Sequence, residues 1–146
     1  MTKHLRIFLA LTLLMAVSAT KAETLYAVVD NIRYALNTDN LEAQVISSDD
    51  YKKMTKIVIP ESITEDGIDY SVTSMEYECF KGCTNLTSIT LPNSMKWLGD
   101  FSGCTSLTSI TIPNSVTSVG GFEGCTSLER VTRGNTKFAV GMEMIE

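Results

Sequence analysis

Residues 80–95 read FKGCTNLTSITLPNSM, residues 101–116 read FSGCTSLTSITIPNSV, and residues 122–131 read FEGCTSLERV. They superpose with a period of 21: Phe80, Phe101 and Phe122; Gly82, Gly103 and Gly124; Cys83, Cys104 and Cys125; Leu86, Leu107 and Leu128. Ile89, Ile110 and Val131 continue the series, then Pro92 and Pro113, then Gly99, Gly120 and Gly141. A fixed period of this kind marks stacked units, none of which can bury its apolar edge alone. Within a unit, Ile89 and Leu91 share one face of a short strand and Thr90 takes the other. Proline stops the strand, Asn-Ser turns the chain, and a second apolar column (Met75, Leu98, Val119, Val140) suits a return leg. The glycine after that column is expected to allow a tight bend. The Phe-x-Gly-Cys corner puts one ring inside and asks for a glycine of positive φ, which other residues resist.

Outward from this core the pattern changes at both ends. Arg133 replaces Ile112, Gly134 replaces Pro113 and Lys137 replaces Val116, the polar drift expected of a terminal unit with nothing stacked beyond it. Upstream, Ile57-Val58-Ile59-Pro60 matches Ile89-Thr90-Leu91-Pro92, and Val72 to Met75 matches Met95 to Leu98. The extra residues between them centre on Asp66-Gly67, a pair favoured in type I′ hairpins. Residues 25–29 and 32–36 flank Asp30-Asn31 as a second hairpin, with a third strand over residues 41–46. The expected fold is a mostly β solenoid, a leucine-rich repeat with short parallel strands and an N-terminal antiparallel β-hairpin cap. Its expected divisions are residues 1–22 as a signal peptide, 23–70 as the β cap and first degenerate repeat, 71–132 as repeats, and 133–146 as a degenerate capping repeat.

These stretches, with VTSMEYECF leading into them, resemble the BspA-type leucine-rich repeats of exported proteins from gut and oral bacteria and some protists. The resemblance covers about residues 54–141. It implies adhesion to host or bacterial surface components, and an opening antiparallel cap. The family's unit is about two residues longer, and Leu98-Gly99-Asp100-Phe101 and Val119-Gly120-Gly121-Phe122 lack those residues, which argues against a short helical turn in the later repeats.

The remaining features set limits. Lys3, His4 and Arg6 precede the apolar run Ile7 to Val17, which is too short to span a bilayer. Small residues follow, so export with cleavage after Ala22 is expected, or after Ala19. The chain carries a formal charge of −5, which argues against a nucleic-acid partner. Its only histidine is His4, so the exported protein would lack the imidazole that Ser–His, Cys–His and His–zinc chemistry require. No enzyme activity, cofactor or metal is expected, and no transmembrane span.

Candidate residues are read against ordinary roles. Cys83, Cys104 and Cys125, with Cys79, suit buried free thiols; one disulfide or a metal site are the alternatives. Thr90, Thr111 and Thr132 form a row on the exposed strand face, flanked by Ser88 and Ser109 and interrupted by Arg130. Such a row can adsorb glycans, although threonine also simply suits strands. Trp97 stands where the column otherwise holds serine or alanine; the reading favours its packing on the Asp66-Gly67 hairpin, near Tyr70, over a role as partner anchor. Asp49-Asp50 and Glu76/Glu78 read as solvated pairs. The expectation is therefore a secreted or cell-surface, monomeric module (the periplasm is the other address) binding a protein or glycan partner. The alternative is a structural spacer or truncated remnant without a ligand.

Overall fold

A computed structural model describes residues 24–134 and the backbone of 136–139. The signal peptide expected over residues 1–22 and the repeat matches at Val140 and Gly141 lie outside the described residues. The structure is mostly strand, with one 3-10 turn (Asp49–Lys53) and no α-helix among the described residues.

β1 (Leu25–Val29) and β2 (Ile32–Asn37) pair antiparallel around Asp30 and Asn31, whose φ values are 50° and 64°. Two successive left-handed residues are what a I′ turn requires. β3 (Glu42–Val45) adds antiparallel to β2, so the expected third strand forms, one residue shorter at each end. The chain then passes through the 3-10 turn and β4 (Lys56–Val58). β5 (Ser62–Glu65) and β6 (Ile68–Met75) follow as the expected hairpin, with Asp66 and Gly67 at φ 50° and 77°. The sequence does not specify the lateral neighbour of this hairpin. β6 pairs parallel with β3, across a bulge between Ala43 and Gln44, completing a five-stranded sheet in the order β1-β2-β3-β6-β5. Ile32, Tyr34, Leu36, Ala43, Val45 and Val72 are its buried side.

The repeats supply β7 (Ser88–Thr90), β8 (Ser109–Ile112) and β9 (Arg130–Arg133). β4 pairs parallel with β7 with Ile57 opposite Ile89, the alignment read from the sequence. β8 pairs parallel with β9 with Ile110 opposite Val131. Between β7 and β8 the Thr108 N–H donates to the Thr87 carbonyl at 3.5 Å. The rings of Phe80, Phe101 and Phe122 stack with centroids 5.7 and 5.6 Å apart and interplanar angles of 15° and 8°. Tyr51 extends the stack to the amino side at 5.2 Å from Phe80. These spacings lie in the favourable range for aromatic pairs. Tyr51 is fixed at its other end too: its hydroxyl donates to the Ile46 carbonyl at 2.9 Å and accepts from the Arg33 N–H at 2.8 Å.

Two glycine columns have different causes. Gly103 has φ 78°, the positive value expected at the Phe-x-Gly-Cys corner, and Gly82 and Gly124 share it. Gly120 has no positive φ. A Cβ there would sit 2.5 Å from the Gly99 carbonyl oxygen and 2.7 Å from the Asp100 Cα. Close approach of the neighbouring repeat, rather than bend geometry, demands this glycine, and Gly99 stands in the same relation to Glu76 and Tyr77.

The departure from the repeat at Arg133 coincides with a change of path. After Gly134, β10 (Thr136–Ala139) folds back antiparallel on β9. The Arg133 guanidinium, standing where the preceding unit has Ile112, donates from Nη2 to the Val116 carbonyl at 2.9 Å.

Candidate functional site

Six of the seven candidate residues share one surface. Ser88 and Thr90 on β7, Ser109 and Thr111 on β8, and Arg130 on β9 are exposed, and Thr132 is half-buried. Strand alternation puts them opposite the buried Ile89 and Ile110. Register aligns Ser109 with Arg130 and Thr111 with Thr132. On the other side, Lys56 aligns with Ser88 and the exposed Val58 with Thr90. The face therefore carries a Lys–Ser–Ser–Arg row beside a Val–Thr–Thr–Thr row. Among the described residues, none of the hydroxyls of Thr90, Thr111 and Thr132 donates a hydrogen bond to the protein.

Other threonines are used differently, and the sequence did not separate them. Thr87 Oγ1 donates to the Thr55 carbonyl at 2.8 Å and Thr117 Oγ1 to the Lys96 carbonyl at 3.2 Å. Each ties one repeat to the preceding one. A threonine whose hydroxyl meets a neighbouring carbonyl is satisfied structurally.

Trp97 lies apart from this face. It is 59% exposed, whereas Tyr70 is buried, so the expected packing of the indole on the Asp66-Gly67 hairpin is corrected. Backbone bridges place Trp97 between Ser74 and Ser118 in a parallel ladder continuing from β6. A depression of about 380 Å³ lies beside it, lined by Gln44, Ser74 and Lys96 among others. A second, of about 360 Å³, shares Glu42, Gln44, Thr73 and Ser74 with the first and reaches Asn37 and Asp39. Lys96 Nζ meets Glu42 Oε1 at 2.8 Å between the two. Sequence reasoning missed this trough. Alternation along β1 signals Tyr26 as outward-facing, but the lateral neighbours that make the trough come from β2, β3 and β6.

The four cysteines are free and buried. The Cys104 thiol donates to the Phe80 carbonyl and the Cys125 thiol to the Phe101 carbonyl, each at 3.1 Å. Burial pushes the Cys104 thiol up to about 12 and raises the other three as well. A thiol so held is a poor source of nucleophilic thiolate. The carboxylate pairs open outward: Asp49 meets Lys52, Asp50 meets Lys53 and Glu78 meets Lys81, all on exposed side chains. Among the described residues no three His, Cys, Asp or Glu side chains gather as a metal site would need, and no helix is long and apolar enough to cross a membrane.

A profile of the BspA type leucine-rich repeat region matches residues 48–144 in six copies. No curated protein sequence matches the chain significantly. Among solved structures the fold is similar to a leucine-rich repeat protein from Bacteroides capillosus, at 20% identity over 74% of this chain and 97% of that one, with a TM-score of 0.55. It is also similar to the pneumococcal vaccine antigen PcpA, at 16% identity over 77% of this chain and 39% of that one, with a TM-score of 0.50. These likenesses establish a mostly-strand, leucine-rich-repeat-like fold.

Proposed function

Because this chain belongs to the BspA-type leucine-rich repeat family, we propose that it is a non-enzymatic binding module, secreted or held at the cell surface, that recognises a protein or glycan. In this reading the leader over residues 1–22 is removed and residues 133–146 close the far end. The stacked repeats form a short monomeric solenoid, capped at its amino end by the antiparallel strands. Ser88, Thr90, Ser109, Thr111, Arg130 and Thr132 present one contact surface and Trp97 another.

The observation that carries the proposal is the hydroxyl face. Among the described residues the hydroxyls of Thr90, Thr111 and Thr132 donate to no protein group, and they stand in register across repeats, bordered by the cations Lys56 and Arg130. A rigid array of unspent polar groups suits recognition, because little conformational entropy is lost when a partner fills it. The arrangement holds no nucleophile–base pair and no convergent acids, which leaves binding as its chemistry.

The test is an array of extracellular-matrix proteins and bacterial glycans probed with the purified protein. Saturable binding is expected, weakened about tenfold or more when Thr90, Thr111 and Arg130 are together replaced by alanine, as for a surface in which a few residues dominate. Absence of saturable binding in both sets overturns the proposal and favours the spacer reading.

A further inference from the structure

One row of residues crosses the N-terminal sheet on its outward side. Tyr26 on β1 lies opposite Ala35 on β2, and Ala35 lies opposite Gln44 on β3. Gln44 lies opposite Ser74 on β6, and Ser74 bridges to Trp97. Laterally paired residues project to the same side of a sheet, so all five share one face. Tyr26 is 52% exposed and Trp97 59%. Four inter-strand steps separate them, about 19 Å at roughly 4.8 Å per step. Between the two rings the floor is Ala35, Gln44 and Ser74, and two connected depressions run along it, one reaching Ala35 beside Tyr26 and the other lined by Trp97.

We propose that this trough binds a neutral oligosaccharide laid across the strands, with Tyr26 and Trp97 each stacking on a sugar ring. The inference rests on the binding-module reading above and names a ligand class for the Trp97 surface. A sugar ring has an apolar C–H face and a rim of hydroxyls, and the trough offers the complement of both. Tyr and Trp present rigid, flat, amphipathic surfaces, while Gln44, Ser74, Asn37 and Glu42 supply amide, hydroxyl and carboxylate partners between them. A protein partner would instead call for a contiguous apolar centre filled by anchor side chains, and here the two rings stand far apart on a polar floor. Charge selects further. The charged residues lining the trough are Asp39, Glu42 and Lys96, and the lysine is already ion-paired to Glu42. That balance disfavours an anionic glycan. The span between the rings requires a chain of several sugars.

Trp97 is the only tryptophan, so its fluorescence reports on the site directly. The probes are the hexamers of β-1,4-glucose, β-1,4-xylose, β-1,4-mannose and β-1,4-N-acetylglucosamine, their dimers, and a heparin hexamer as the anionic comparison. At least one neutral hexamer is expected to change the emission saturably, with its dimer bound about tenfold or more weakly because it reaches one ring only. Tyr26→Ala should weaken the hexamer by a similar factor while leaving the dimer and the melting temperature unaltered. For Trp97, titration calorimetry replaces fluorescence: Trp97→Phe retains binding and Trp97→Ala loses it. The inference is overturned if no neutral hexamer saturates, if hexamer and dimer bind equally, if heparin binds best, or if the trough variants abolish binding of a protein instead. A hit on the array that survives Tyr26→Ala and Trp97→Ala but not the Thr90, Thr111 and Arg130 replacements would sink this inference alone and leave the binding module standing.

Discussion

The amino-terminal strands β1 to β3 take their register from turns a few residues away, whereas β7, β8 and β9 take theirs from equivalent residues one repeat apart. In the first region, Asp30-Asn31 fixes which residue faces which before any long-range contact exists. In the second, nothing local determines that Ile110 should face Val131. The stacked rings of Phe80, Phe101 and Phe122, and the glycines that let repeats approach, do so. The lesson is that the amino-terminal strands are specified by conformation and the repeat strands by packing. Variants can separate them.

The largest effect should come from the packing side. Phe101 is fully buried and contacts a ring on each side. Its replacement by alanine removes both stacks and leaves a cavity, so Phe101→Ala should destabilise by about 3–5 kcal/mol. Tyr26→Ala, on the outer face of β1, should change stability by no more than about 0.5 kcal/mol. Urea unfolding measures both. A loss of less than about 1 kcal/mol for Phe101→Ala would mean that the ring column does not set the stacking.

A pair of glycine substitutions sharpens the contrast at the next level of effect. Gly67 sits in a turn at φ 77°, and a Cβ added there would meet no heavy atom within 4 Å, so only conformation constrains it. Asparagine visits the left-handed region readily, and Gly67→Asn should be tolerated. Gly120 is constrained by backbone atoms of the neighbouring repeat, which no choice of φ relieves. Gly120→Asn should cost about 1–3 kcal/mol, the usual range for forcing atoms into a filled space. Equal denaturation midpoints for the two variants would erase the distinction between turn-set and contact-set register.

The same contrast explains what was legible in the sequence. Both I′ hairpins could be read from adjacent residues, and the repeat columns from periodicity, because each signal is carried along the chain. The pairing of β3 with β6 could not, since it joins residues 42–45 to 71–75 without any shared period. Glu61 was missed for a like reason: its carboxylate accepts from the N–H groups of Asn93 and Ser94, 32 and 33 residues on, at 2.8 and 3.0 Å. At the hydroxyl face the candidate residues were legible because strand alternation exposes them. The trough was not, because Tyr26, Gln44, Ser74 and Trp97 come onto one face only once the lateral order of strands is known. Trp97 itself showed as an outlier in its column, but a column says nothing about what lies beside it.

The smallest effect tests the seam between the two regions. Glu76 follows β6, and its N–H donates to the Val45 carbonyl at 2.8 Å. Its Oε2 accepts from the Ser47 hydroxyl at 2.5 Å and the Ser47 N–H at 2.7 Å. Those two bonds hold the carboxyl below the usual carboxylate range, against a lesser opposing push from burial. A carboxyl with a lowered folded-state pKa contributes stability above its unfolded pKa of about 4.3, and that contribution fades as pH falls through the lower folded value. Glu76→Gln should therefore lower the urea midpoint more at about pH 7 than at about pH 3. The gap will be small, because the side chain is exposed and water screens it. Comparing parent with variant at each pH cancels the titration of the other acids. A gap of the same size at both values would mean that the seam is held by the backbone bond from Glu76 to Val45, with the carboxylate contributing no charge-dependent share.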